Sequence, residues 1–212
     1  MKTILFQGDS ITDSMRIRES DNCRGNGYAT LVSAKLMYEH PGEYVCLTRG
    51  VNGNRSVDVL ARMRSDIENL QPDVMSLLIG VNDVWHEITR QNGVSPRRFE
   101  KVVDLMLDEL SVSRPGMKIM LLEPYVLEGE KTCNTEEIPD RWDRFSTLVP
   151  QYAGIIRKLA ERYHCAFVPL QDTFSELAAK YGGNVWLTDG VHPTIAGHAV
   201  IAKAWLDAYA NL

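Results

Sequence analysis

The sequence predicts an α/β protein, a three-layer α/β/α sandwich around a five-stranded parallel sheet. Short β-like apolar runs recur five times, at Lys2 to Gln7, Tyr44 to Thr48, Val74 to Ile79, Lys118 to Leu122 and Ala166 to Leu170, each separated from the next by enough chain for a helix. The second, third and fourth runs are mostly apolar without alternation, as strands covered on both faces should be. The length also fits: 212 residues, 44% apolar and 24% charged, bury roughly 70% of the unfolded surface without help from a disulfide or a structural metal. No internal repeat, low-complexity tract or Gly/Ser linker divides the chain, so a single domain over residues 1–212 is expected.

The helices follow from periodicity between these runs. Tyr28 to Tyr38 is the first, closed by Pro41-Gly42. Val57 to Leu70 is the second, with Val57, Leu60, Ala61, Ile67 and Leu70 near one face and Gln71-Pro72 at its end. Pro96 to Val112, Leu148 to Tyr163, Asp172 to Tyr181 and Ile195 to Tyr209 complete the set. Tyr125 to Phe145 has no sustained period and is longer than an ordinary connection, which marks a functional or mobile segment over the ligand face.

Charge and composition exclude several classes of partner. Lys plus Arg number 23 against 28 Asp plus Glu, a formal −5, of which −4 falls between Glu123 and Arg144. With no dense basic run, nucleic acid is not an expected partner. No run approaches the roughly 18 apolar residues of a membrane helix. Ile4-Leu5-Phe6 follows Met1 too closely to be an export signal, and Cys23, Cys46, Cys133 and Cys165 form no C-x-x-C pair. Reduced thiols in a cytoplasmic protein are the expectation.

In an open parallel sheet, ligands sit beyond the carboxyl ends of the strands, so the residues after each run carry the chemistry. They are Gly8-Asp9-Ser10-Ile11-Thr12-Asp13, then Gly50-Val51-Asn52-Gly53-Asn54, then Gly80-Val81-Asn82-Asp83, with Asp189-Gly190-Val191-His192-Pro193 near the C-terminus. A nucleophilic serine needs a base, a carboxylate to orient that base, and donors for the oxyanion. Ser10 stands at a strand-to-helix turn that Gly8 allows to bend sharply. His192 is the candidate base and Asp189 its carboxylate, since residues three apart meet on one turn-like face. Pro193 keeps His192 out of the α region, with Thr194 as the cap of the last helix. The Ser10 and Gly53 N–H groups and the Asn82 amide are the natural oxyanion donors.

These four separated blocks resemble those of the SGNH (GDSL-type) hydrolases, over essentially the whole chain. Ile11 stands where the family name has Leu, and Asn52 where Ser often precedes the Gly. Within the family the chain is most similar to cytoplasmic acetylxylan esterases acting on small acetylated xylo-oligosaccharides, through Gly80-Val81-Asn82-Asp83-Val84-Trp85, Pro124-Tyr125-Val126-Leu127-Glu128-Gly129 and Trp186-Leu187-Thr188-Asp189. The resemblance implies a flavodoxin-like strand order, a metal-independent serine esterase and a homo-oligomer. A lysophospholipase, a thioesterase or a general short-chain carboxylesterase would carry the same catalytic groups, and a carbohydrate-binding scaffold could keep the fold without catalysis.

Trp85 and Trp186 are candidate sugar platforms or core residues, and Tyr125 is a candidate substrate contact. Asp9 reads first as a turn or cap residue, with substrate contact as the alternative. Trp205 should pack in the core, and His40, His164 and His198 have no partners for a metal. His86-Glu87 lacks a second histidine, and no G-x-G-x-x-G, P-loop or G-x-S-x-G is present, so no cofactor is expected.

Overall fold

The computed structural model describes residues 1–212. Five strands, β1 (Lys2–Gly8), β2 (Tyr44–Thr48), β3 (Val74–Leu78), β4 (Lys118–Leu122) and β5 (Ala166–Val168), form one parallel sheet in the order β2-β1-β3-β4-β5. The order reverses direction at β1, which pairs with β2 on one side and β3 on the other. That switch point leaves a crevice beyond the carboxyl ends of β1 and β3.

Two helical layers cover the sheet. On one side α2 (Tyr28–Glu39) packs against α9 (Ile195–Tyr209), and Phe6 of β1 meets Tyr28 and Trp205 at ring separations of 5.8 and 5.4 Å. On the other, α6 (Pro96–Ser113) packs against α3 (Ser56–Ala61) and α7 (Arg141–Arg162), and α5 (Val81–Arg90) against α7. All five residues of β3 are buried, which explains why this strand reads as an apolar run, interrupted by Ser76, without alternation. A single cluster of 47 buried apolar residues joins both faces.

Three elements differ from the periodicity. The expected helix from Val57 to Leu70 is broken into α3, α4 (Met63–Asp66) and a 3₁₀ turn at Glu68–Leu70. The break falls at Arg62, whose guanidinium turns inward to donate to Gln7 Oε1, Arg49 O and Asn54 Oδ1 and pairs with Asp66. Val81–Arg90, read only as residues following a strand, is a ten-residue helix with Val81, Val84 and Ile88 buried. The helix expected from Leu148 begins at Arg141 and carries Pro150 within it, so its first turns absorb the end of the Tyr125 to Phe145 segment.

Short elements complete the chain: α1 (Ser10–Asp13) directly after β1, and α8 (Gln171–Tyr181) after β5. No helix is long and apolar enough to cross a membrane.

Candidate active site

The chain must leave β1 and turn into α1 within two residues. A Cβ at Gly8 would stand 2.4 Å from Leu78 O and 2.5 Å from Thr12 Oγ1, so only glycine permits the strand to end this close to its neighbour. Asp9 caps α1, its Oδ1 accepting from Ile11 N at 3.0 Å. Ser10 is thereby presented half-buried at the switch point, and its Oγ lies 2.9 Å from His192 Nε2.

His192 comes from the opposite end of the chain. Asp189 Oδ1 accepts from the backbone N–H of His192 at 2.9 Å and of Val191 at 3.1 Å, folding the four residues into a turn. Its other oxygen, Oδ2, lies 2.8 Å from His192 Nδ1. Thr194 caps α9 by accepting from Gly197 N, which fixes the loop's exit. The result is a continuous hydrogen-bonded chain from Ser10 through His192 to Asp189, with the carboxylate buried and the imidazole 39% exposed.

Burial alone would raise the Asp189 carboxyl, but the hydrogen bonds from the His192 ring and backbone, together with the charge of His192, outweigh it and hold the group well below the usual range. The bond to Asp189 raises His192 above its ordinary value, against the effect of burial. A ring held this way presents an unprotonated Nε2 to the serine above its pKa, with the Nδ1 proton committed to the carboxylate.

Gly53 and Asn82 stand beside this chain. Asn54 N donates to Val51 O, closing a turn in which Gly53 has φ +79°, the value of the third residue of a type II turn. Nothing lies within 4 Å of a Cβ built on Gly53, so the glycine serves the backbone angle and leaves the space above it open. The backbone N–H groups of Ser10 and Gly53 donate to no other group of the protein. Asn82 Nδ2 donates to Asn54 O at 3.1 Å, which ties the side chain to the same turn.

A cleft of about 520 Å³ opens directly on Ser10 and His192. Ten of its thirteen lining residues are not hydrophobic, among them Ser14, Arg18, Asn26 and Asn52.

A family model described as the GDSL-like Lipase/Acylhydrolase family matches residues 6–200. The chain belongs to this family. It is a carboxylic ester hydrolase. An acetylxylan esterase of Geobacillus stearothermophilus is 30% identical over 213 residues, covering 96% of this chain and 91% of that protein. Among solved structures, a GDSL-like protein of Parabacteroides merdae superposes with a TM-score of 0.89 at 31% identity, covering 98% of this chain and 94% of that one. Axe2, an acetylxylan esterase from G. stearothermophilus, does so with a TM-score of 0.83 at 29% identity, covering 98% and 93%. LAE5, an α/β hydrolase from the metagenome of Lake Arreo, gives 0.83 at 31%, covering 98% and 94%.

The structure of this hydrolase joins Ser10, His192 and Asp189 in one hydrogen-bonded chain, ties Asn82 to the turn that holds Gly53, buries Asp9 and Tyr125, and leaves Trp85 beside His192 and Trp186 against Tyr181. Asp9 is 1% exposed, and burial pushes its carboxyl up to about 7; it caps α1 from beneath and cannot reach a substrate. Tyr125 is likewise buried, its ring tilted against that of Phe174 at 4.5 Å. Trp85 is half-buried against Phe145 at 5.4 Å, its ring 6.3 Å from that of His192, and Trp186 donates to Leu177 O and packs on Tyr181. Neither tryptophan lines the cleft.

Two supporting groups escaped the sequence reading. Asp83 is fully buried and accepts from Ser56 N and, at 2.5 Å, from Ser56 Oγ, clamping the start of α5 to the start of α3 next to Asn82. Burial pushes this carboxyl up to about 7, against those hydrogen bonds. The segment after β4 straps the acid-base loop: Leu127 N donates to Gly190 O, Lys131 N to Asp189 O, and Lys131 Nζ lies 3.5 Å from Asp189 Oδ2. Asp83 stands inside the Gly80-Val81-Asn82-Asp83 block, but its partner is 27 residues away; the strap lies in the aperiodic segment, where no pattern announces a contact.

Proposed function

We propose that this enzyme removes acetyl groups from small acetylated carbohydrates of the xylo-oligosaccharide type, through an acyl-enzyme on Ser10. The observation that carries the reading is the Ser10–His192–Asp189 hydrogen-bonded chain opening onto a polar cleft. Ser10 Oγ attacks the acetyl carbonyl while His192 Nε2 takes its proton. Asp189 holds the ring in the tautomer that allows this and stabilises the imidazolium. The oxyanion is met by the N–H groups of Ser10 and Gly53 and by the Asn82 amide, each worth about 3 kcal/mol. His192 then protonates the leaving sugar oxygen, and water, deprotonated by the same ring, releases acetate.

Relatives support the assignment. Catalytic mutants of Axe2 replace a serine and an aspartate by alanine, the residue types of Ser10 and Asp189. The substrate class rests on the 30% identity to an acetylxylan esterase and on the few hydrophobic residues, three of thirteen, that line the cleft. The four cysteines are free thiols, which suits action in the reducing cytoplasm.

The test is acetate release from acetylated xylo-oligosaccharides, run beside p-nitrophenyl esters of increasing acyl length and a Ser10→Ala control. Release from the sugar, lost in the control, with activity falling steeply beyond acetyl is the expected result. Cleavage of long-chain esters without sugar deacetylation would move the substrate to lipids or thioesters and refute the proposal.

A further inference from the structure

His192 must protonate the leaving alcohol, so the alcohol half of the ester has to lie on the side of the imidazole. The cleft is built on that side: Pro193, Ile195 and His198 line it, whereas Gly53 and Asn82 do not. Its far wall is made by the segment from Ser14 to Asn26, and one hydrogen-bonded relay orders that wall.

The relay begins in the core. His198 on α9 is 7% exposed, and its Nδ1 accepts the backbone N–H of Tyr28 at 3.1 Å. A ring accepting at Nδ1 carries its proton on Nε2. Burial holds this histidine down at about 4, so it stays neutral. Nε2 lies 3.3 Å from Ser14 Oγ and therefore donates to it. The Ser14 hydroxyl proton is then directed to Asn26 Oδ1, at 2.9 Å. With its oxygen occupied, Asn26 turns its carboxamide nitrogen, which has no protein partner, outward on an exposed wall of the cleft.

The backbone beneath is strained to make this possible. Ser14 and Met15 have φ of +40° and +63°, consecutive left-handed residues without glycine, a conformation that L side chains disfavour. Asn26 N donates to Ser14 O, locking the two segments together. Arg18 adds a half-exposed guanidinium, tied to Asp13 Oδ2 at 3.2 Å, while Met15 and Ile195 stand 83% and 78% exposed at the rim. Donors on the walls and apolar side chains at the rim match a pyranose, which offers hydroxyl and ring oxygens at its edge and C–H groups on its faces.

We infer that Asn26, held by the His198–Ser14 relay, is a specificity-determining contact for the sugar, its carboxamide nitrogen donating to an oxygen of the polyhydroxylated alcohol half. This rests on the proposed deacetylation of carbohydrates. Asn26→Asp tests it, since a carboxylate still accepts from Ser14 but offers the cleft an acceptor in place of the donor. The quantity to measure is kcat/KM on an acetylated xylo-oligosaccharide divided by kcat/KM on p-nitrophenyl acetate, whose leaving group has no hydroxyl array. The ratio is expected to fall at least fivefold, mainly through KM for the sugar, and to fall in the same direction in Ser14→Ala, which releases the relay while leaving Asn26 in place. A purely structural role lowers both numbers together and leaves the ratio within that limit, which overturns the inference while sugar deacetylation by the wild type stands. A wild type active on p-nitrophenyl acetate and inert on every acetylated sugar overturns the substrate reading, and the inference with it.

Discussion

Replacing Asp189 by asparagine tests the acid-base pair with almost no change of shape. Oδ1 of Asp189 accepts two backbone N–H groups, from Val191 and His192, so the asparagine must keep its carbonyl oxygen there. Its NH₂ is then forced into the Oδ2 position, 2.8 Å from His192 Nδ1. An NH₂ can only donate, so Nδ1 becomes the acceptor and the ring proton moves to Nε2, facing Ser10 Oγ at 2.9 Å. A protonated Nε2 cannot take the serine proton. The expected loss in kcat is about 10⁴-fold, or about 5.4 kcal/mol of transition-state stabilisation at 1.36 kcal/mol per decade. The assay is p-nitrophenyl acetate hydrolysis between pH 5 and 9, with a thermal melt to show that Asp189→Asn is folded. Because the hydrogen bond to Asp189 is the largest effect raising His192, the acid limb of the residual activity should also move down in pH. A folded variant within tenfold of wild-type kcat would refute the assignment of base and orienter.

Asn82→Ala removes one oxyanion donor and should lower kcat by about 10²- to 10³-fold with little change in KM; a folded variant with full kcat would remove Asn82 from the oxyanion site. Lys131 lies 3.5 Å from Asp189 Oδ2 and lowers the pKa of His192, so Lys131→Met should move the acid limb of kcat/KM upward, by a few tenths of a pH unit since the lysine is half-exposed. An unmoved or downward-shifted limb, read from the same pH series, counts against that coupling. Asp9 is protonated in the fold up to about pH 7, whereas the unfolded chain releases that proton near pH 4. Its stabilising effect is complete below about pH 4 and is lost as the pH rises through 7. Asp9→Asn should therefore reduce the fall in Tm between pH 5 and 8, Asp83 retaining its own share; calorimetry showing an unchanged fall would contradict the buried, neutral carboxyl.

The parallel sheet was legible because strands such as β3 are buried on both faces, so apolar runs alone mark them. The hydrogen-bonded chain of Ser10, His192 and Asp189 was legible because each member follows a strand or lies in a four-residue turn, where spacing and contact coincide. Legibility failed where a side chain's partner is distant. Arg62 breaks a helix through contacts with Gln7 and Arg49 that no local period encodes. Tyr125 follows a strand as a site residue would, yet folds under Phe174. The relay through His198 joins residues 184 positions apart at Ser14, and nothing near either end in sequence announces the other.

Ser10 and His192 are separated by 182 residues, whereas Asp189 and His192 lie on a single turn. Hydrolysis is thus a sensitive readout of whether the first strand and the last helix have docked. Loss of catalysis during gentle denaturation should run ahead of any local change at the C-terminal loop, making the rate of ester cleavage a clock for the closing of the chain upon itself.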